Sequence, residues 1–147
     1  KFSADAQLPD GKTVDHVQFW TNSFWNFGWQ WDGRLNAWRR NDAGAEHVDT
    51  GTGRVLSATS VLVQYVKEDI VYAGSDPGGY PRRYHHLVGA GRAVLYVDGR
   101  AIPVRWSRPT ARDHTRYTYL RGGGRVILPP GVVWWEILPT YTTVRER

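Results

Sequence analysis

Short apolar runs separated by glycine-containing turns recur along this chain, and this pattern constrains the fold more than any other feature of the sequence. Phe27, Trp29 and Trp31 alternate with polar or small residues, as in a β-strand with one buried face. Residues 61–66 form a short, β-branched run that favours a buried strand. No stretch has the period of an amphipathic helix. The chain is therefore predicted to fold mainly as β-structure.

Turn residues connect these runs into hairpins. Asp32-Gly33 predicts a type I′ turn between strands at residues 27–31 and 35–40. Asp98-Gly99 predicts a second such turn, and residues 121–124 predict a third hairpin. Sequential hairpins place neighbouring strands antiparallel.

The rest of the chain fits the same fold class. Several glycines and prolines make residues 68–81 the expected longest loop, and a final strand is expected at residues 132–138. Regularly spaced short strands with glycine turns are typical of barrels and sandwiches. We predict an all-β or β-dominated, antiparallel, hairpin-rich barrel or sandwich with little helix.

Length and composition indicate one domain. A chain of 147 residues can bury one sufficient core, and we assign residues 1–147 to a single β-rich domain in which residues 1–12 form a linker or entry segment. The sequence contains no Met, so we expect it to be a piece of a longer parent. No run approaches the roughly 20 apolar residues of a membrane span, so this piece is expected to be soluble.

Charge is unevenly distributed along the chain. Residues 1–76 carry a net charge of −3 and residues 77–147 one of +8, giving +5 for the whole chain. Most of the cations are arginines, which suit bidentate contacts with carboxylate or phosphate groups. The chain has no Cys, so thiolate metal sites are excluded, and we expect no metal and no cofactor.

Several ordered motifs resemble the C-terminal domain of the YerB-like bacterial lipoproteins, a family of unknown function. The motifs are Trp29-Gln30-Trp31-Asp32, Trp38-Arg39-Arg40, His47-Val48-Asp49-Thr50-Gly51, Leu56-Ser57-Ala58-Thr59-Ser60-Val61-Leu62-Val63, Gly89-Ala90-Gly91-Arg92-Ala93, Asp98-Gly99, Trp106, Leu128-Pro129-Pro130-Gly131, Trp134-Trp135-Glu136 and Pro139. The resemblance covers about residues 19–139. It implies a two-domain parent with an upstream domain, an extracytoplasmic location and a membrane anchor through a lipidated Cys upstream of this piece. It implies no reaction.

His47 and Asp49 are the weak catalytic candidates. Two residues apart on a strand, they would point to one face and could form an acid/base pair or two metal ligands. A His and an Asp before Thr50-Gly51 could equally satisfy backbone groups of a loop, and this simpler interpretation has the greater weight.

A basic and aromatic stretch follows the predicted long loop. Its members are Arg82, Arg83, Tyr84, His85 and His86, and binding residues concentrate in such loops. His85 and His86 would face opposite sides of a strand, so we assign no metal site to them. A solvated strand end is the alternative.

Five tryptophans lie within nineteen residues and could form a platform on which sugar rings or an aromatic partner stack: Trp20, Trp25, Trp29, Trp31 and Trp38. Trp29 and Trp31 are assigned to the core face. Trp25 and Trp38 are the predicted exposed candidates.

These features favour a non-catalytic binding or interaction module of a bacterial cell-envelope lipoprotein. An envelope protein or an anionic wall polymer is the expected partner. One alternative is an envelope hydrolase that uses His47, Asp49, His85 and His86. The other is single-stranded nucleic acid binding through arginines and aromatic rings, against which an extracytoplasmic location argues.

Overall fold

The computed structural model describes residues 2–3, 7–21, 25–72 and 80–147. Its strands are β1 (Lys12–Thr13), β2 (His16–Trp20), β3 (Asn26–Asp32), β4 (Ala37–Asp42), β5 (Ala45–Glu46), β6 (Ser57–Ala58), β7 (Ser60–Val66), β8 (Glu68–Val71), β9 (Arg82–His85), β10 (Gly89–Val97), β11 (Arg100–Arg108), β12 (Arg116–Tyr119), β13 (Val133–Pro139) and β14 (Thr143–Glu146). The predicted all-β, hairpin-rich fold is confirmed, and of the two predicted architectures it is the sandwich that forms. Within the described ranges no helix has the length and apolarity needed to cross a membrane.

Two sheets make up the sandwich. The first has the strand order β1, β11, β10, β7, β13, and β12 pairs with the other end of β11. The second has the order β14, β2, β3, β4, β5, with β6 beside β4. All strand pairs are antiparallel except β13 with β7, which the hairpin pattern did not predict. β8 and β9 form a separate two-stranded ribbon, which we call the arm.

The two Asp-Gly turns differ in length. Asp98 and Gly99 both have positive φ angles, 52° and 64°, and Val97 pairs with Arg100 across them, so a two-residue turn of the predicted kind forms. The first prediction is wrong, because Asp32 pairs with Ala37 and four residues, 33–36, form the turn.

The Asp32 side chain explains the longer first turn. Its Oδ1 accepts hydrogen bonds from the backbone N–H groups of Arg34 at 3.0 Å and Leu35 at 3.3 Å. Asn36 then takes a left-handed φ of 50°, which Asn tolerates better than most residues.

Two further strand predictions need correction. The predicted loop at residues 68–81 is wrong at its start, since Glu68–Val71 form β8 and pair with β9. The return of the third hairpin, residues 125–128, contributes only isolated bridges at Arg125 and Leu128. The final strand is confirmed as β13, and β14 after it was not predicted.

The main core lies between the two sheets. It includes Val17, Phe19, Phe27, Trp29, Trp38, Val61, Val63, Tyr65 and Tyr96. Aromatic rings join the sheets edge to face: Trp38 lies 5.7 Å from Tyr96, and Trp29 lies 5.4 Å from Trp134. Such contacts add to the free energy gained by burying the rings.

A second cluster covers the other face of the first sheet. Leu62, Leu95 and Trp106 pack there beneath Val126 and Leu128, which belong to the segment that follows β12. The centre of the first sheet is therefore buried on both faces, which explains why every residue of β7 is buried. Of the second sheet, only the face toward the first sheet is covered by residues that the structure describes.

A buried ion pair crosses the main core. Arg40 on β4 donates a hydrogen bond from Nη1 to Oε1 of Glu136 on β13, and each side chain is 12% exposed. The Trp29 indole N–H donates to the same oxygen at 3.3 Å, and the Arg40 guanidinium lies 5.2 Å from the Trp134 ring centre. Burial raises the pKa of Glu136, and Arg40 opposes that rise without cancelling it.

Replacing Arg40 with methionine is expected to lower the free energy of unfolding by about 3–5 kcal/mol at neutral pH, because Glu136 is left charged, buried and unpaired. The loss should shrink as the pH falls through the raised pKa of Glu136, since protonation removes the uncompensated charge. Denaturant unfolding at two pH values measures both effects.

The neighbouring Arg39 provides the control. It pairs with Glu46 at the surface, where its side chain is 35% exposed. Arg39→Met should change the free energy of unfolding by less than about 1 kcal/mol. Equal losses in the two variants would contradict a special role for the buried pair.

Candidate functional site

Four of the predicted binding residues lie on the arm. Arg82, Arg83, Tyr84 and His85 form β9, and all four are exposed. The arm continues from β7 and β10, and the backbone N–H of His86 donates to the Lys67 carbonyl at its base, at 2.9 Å. No third strand pairs with the arm among the described residues.

On one face of the arm, several side chains form hydrogen bonds to the carboxylate of Glu68, and we call this group the Glu68 cluster. Glu68, whose side chain is only 1% exposed, lies 2.6 Å from Arg83 Nη1 and 2.8 Å from His85 Nε2. The Tyr141 hydroxyl donates to Glu68 and accepts from Arg83 Nη1 at 3.0 Å. Burial alone raises the pKa of Glu68, but hydrogen bonds from Tyr141, His85 and Arg83 outweigh it and lower the pKa overall. Arg83 and His85 therefore join the two strands of the arm through Glu68, and Tyr141 ties the arm to the body of the domain through Glu68 and Arg83.

His86 belongs to a different pair. Its Nε2 lies 2.6 Å from Asp69, the neighbour of Glu68 on β8, so His85 and His86 bind different carboxylates on opposite faces of the arm. The described residues contain no group of three or more side chains placed to hold a metal ion. Arg82 and Tyr84 are exposed, and their role in binding stays a prediction.

His47 and Asp49 do not pair with each other. His47 Nδ1 bonds to Asp42, whereas Asp49 accepts hydrogen bonds from the backbone N–H and the hydroxyl of Thr52, at 2.7 and 2.8 Å. The Thr52 contacts lower the pKa of Asp49. Asp49 thus accepts hydrogen bonds from the loop at Thr52 and does not form the predicted acid/base pair with His47.

The two candidate tryptophans differ. Trp25 is 64% exposed, as predicted, but the predicted exposure of Trp38 is wrong, because its side chain is fully buried. Trp38 pairs with Trp31 in the β3–β4 ladder, and directly paired residues share a face. Since Trp31 packs against the core, Trp38 must do so too.

The outer face of the second sheet carries a different set of side chains. Alternation turns Val17, Phe19 and Trp29 inward, so their neighbours on β2 and β3 point outward. With the outward residues of the adjoining strands they line a cavity of about 360 Å³. We call it the polar groove, and its lining residues are His16, Gln18, Trp20, Asn26, Gln30, Asn41, Ala43, Gly44, Glu46, Arg145 and Arg147.

One row of the groove crosses the whole sheet. Arg145, Gln18, Gly28, Asn41 and Glu46 are successive partners across β14, β2, β3, β4 and β5. A Cβ atom added at Gly28 would lie 2.4 Å from Gln18 Oε1, so glycine is what allows Gln18 to lie across the sheet there. Gln18 Nε2 then donates to Asn26 Oδ1 at 2.9 Å.

Asn41 is the unusual member of this row. It is 8% exposed, and its buried Oδ1 has no hydrogen-bond partner among the described residues. A buried polar atom left without a partner costs about 1–3 kcal/mol. Asn41 lines the groove, and its unpaired oxygen lies just below the surface of the groove.

The two ends of the row differ in charge. At the β5 end, Glu46 is neutralised by Arg39. At the β14 end, the Arg145 guanidinium lies 5.8 Å from the Trp20 ring centre and has no carboxylate partner among the described residues.

Comparison with known proteins supports the predicted resemblance. The family described as "Protein of unknown function (DUF3048) C-terminal domain" matches residues 16–135. The chain belongs to this family. The crystal structure of the YerB protein from Bacillus subtilis is similar to this chain, with a TM-score of 0.68 and 19% identity over 90% of this chain and 44% of that one. At this identity the likeness shows the fold alone. No curated protein matches the chain.

Sequence reasoning missed most of the groove in this DUF3048 C-terminal domain. Gln18, Asn26 and Asn41 were not singled out, and Trp20 was only one member of the proposed aromatic platform. The sequence did contain a signal for the groove: in β2, β3 and β4, amide side chains occupy positions that alternate with the inward-facing residues.

The Glu68 cluster predicts that the stability of this DUF3048 C-terminal domain depends on pH. Because the folded-state pKa of Glu68 lies below its usual value of 4.5, ionised Glu68 stabilises the fold above that pH, and this contribution is lost as the pH falls through the lowered pKa. Glu68→Gln should therefore be less stable than the wild type at about pH 7, and its melting temperature should fall less between about pH 7 and about pH 3.

Glu46→Gln is the matched control, because Glu46 is 54% exposed in its ion pair with Arg39. It should retain nearly the wild-type pH dependence. Wild-type behaviour of Glu68→Gln at both pH values would rule out the assigned role of the cluster.

Proposed function

We propose that this domain is a non-catalytic binding module and that the polar groove is its ligand site. Asn41 carries the proposal. The second sheet keeps a buried amide with an unpaired oxygen at the floor of a cavity, although an apolar side chain there would avoid the cost. A ligand that draws the Asn41 amide toward the groove and donates a hydrogen bond to its oxygen would remove that cost, and such binding would explain why an amide stands at this position.

The lining of the groove favours a hydroxyl-rich ligand such as a saccharide. Gln18, Asn26 and Gln30 each offer both donors and acceptors, which match hydroxyl groups in either direction. Trp20 adds a flat, half-buried ring that can pack against the apolar face of a sugar ring. A mainly apolar ligand would leave the amides without partners.

We also propose that the parent protein acts outside the cytoplasm, anchored through a part upstream of this segment, with a wall polymer or an envelope protein as partner. The YerB-like resemblance supports this location. The chain spans 44% of the YerB chain, so the role of a whole parent protein is part of the proposal.

Titration with a neutral tetrasaccharide of N-acetylglucosamine tests the groove. Calorimetry should detect binding to the wild type, and Trp20→Ala should weaken it about tenfold or more, as loss of an aromatic anchor does. Trp135→Ala is the control, because Trp135 is 48% exposed on the first sheet and lies outside the groove.

Asn41→Leu separates function from stability. It should weaken tetrasaccharide binding about tenfold, since a good hydrogen bond to a ligand contributes about 1.5 kcal/mol. Its free energy of unfolding should equal or exceed that of the wild type, because the unpaired oxygen is gone. A variant that loses stability but keeps wild-type affinity would assign Asn41 to the fold and remove the main support for the proposal.

A further inference from the structure

We propose that the β14 side of the polar groove binds an anionic group carried by a hydroxyl-rich chain, through Arg145. This inference rests on the proposed function and names the chemical class of the ligand. The polar groove would then bind two features of one molecule. Its hydroxyl groups would lie over the amides of β2 to β4, and its negative charge would lie over β14.

The charges around the groove point in this direction. Among the described lining residues, Glu46 has the only acidic side chain, and Arg39 already pairs with it. Arg145 has no such partner within the described residues, and Arg147 adds a second cation on the same side. An anion bound at the β14 side therefore meets two arginines and no unpaired carboxylate of the lining.

Packing against Trp20 prepares Arg145 for this role. The guanidinium lies 5.8 Å from the ring centre, where contact with the aromatic surface restricts the long side chain. A restricted guanidinium loses less conformational entropy when it binds. Its planar fork can donate two parallel hydrogen bonds to a carboxylate or to a phosphate.

Register fixes the spacing of the two features. Arg145 and Asn41 are separated by three strand spacings, since Gln18 and Gly28 stand between them in the row. At about 4.8 Å per spacing this is about 14 Å of sheet. The ligand must therefore be an extended chain, because a single small anion cannot reach from Arg145 to Asn41.

Three probes distinguish the sources of the charge. They are an oligomer of galacturonic acid, the same oligomer with its carboxylates methyl-esterified, and poly(glycerol phosphate). The acid and its ester have the same hydroxyl pattern, so their difference in affinity isolates the carboxylate. The phosphate polymer tests the other anion that a guanidinium fork accepts.

Calorimetry with wild type, Arg145→Gln and Arg105→Gln decides between the outcomes. Arg105 is an exposed arginine on the first sheet, outside the groove, and has the same formal charge. We expect the wild type to bind one anionic probe at least tenfold more tightly than the ester. Arg145→Gln should weaken binding of that anionic probe far more than binding of the ester, while Arg105→Gln should behave as the wild type.

Other results would overturn the inference. Equal affinity of the wild type for the acid, the ester and the phosphate polymer would mean that the groove does not recognise the negative charge. Because the probes would still bind, the proposed function would not be contradicted. Equal losses in Arg145→Gln and Arg105→Gln would reduce the effect to overall charge. Failure of every probe and of the neutral tetrasaccharide to bind would overturn both proposals together.

Discussion

The packing of one face of the second sheet against the first is the constraint on which the rest of the structure depends. Trp29 and Trp38 are fully buried there, and each meets an aromatic ring of the first sheet. Burial of such large rings fixes the register, because a slip by one residue would turn every side chain to the other face. The same register that buries the tryptophans presents Gln18 and Asn41 to the outside, so the groove is a consequence of the core.

The two sheets are not equivalent, and this asymmetry decides where a ligand site can lie. The first sheet is covered by the second on one side and by the segment with Val126 and Leu128 on the other, so its central strand β7 is fully buried. Among the described residues, the second sheet is covered only on the face that packs against the first sheet. Its outer face is polar, and the central Gly28 lowers its surface enough for a side chain to lie flat across it. The buried pair of Arg40 and Glu136 joins the sheets behind this face.

The candidate residues show how neighbours in sequence and neighbours in space differ. Arg83, His85 and His86 adjoin in sequence and suggest one site, yet Glu68 and Asp69 divide them between two faces and use their hydrogen-bonding groups internally. Trp38 could have been placed correctly from parity, because any hairpin closed at Asp32-Gly33 pairs it with an inward residue of β3. The groove, by contrast, combines Arg145 with residues more than a hundred positions earlier, and no local pattern links them.

The sequence by itself determined the fold class and the β3–β4 and β10–β11 hairpins, because alternation and turn residues act over a few positions and leave a local pattern. Its ordered motifs determined the family. It also determined that β7 is buried. Tertiary structure alone decided the parallel pairing of β13 with β7, the strand that Glu68–Val71 form, and the row that runs from Arg145 to Glu46. These features depend on which strands become neighbours, and that choice is made by the free energy of burying distant apolar faces against each other.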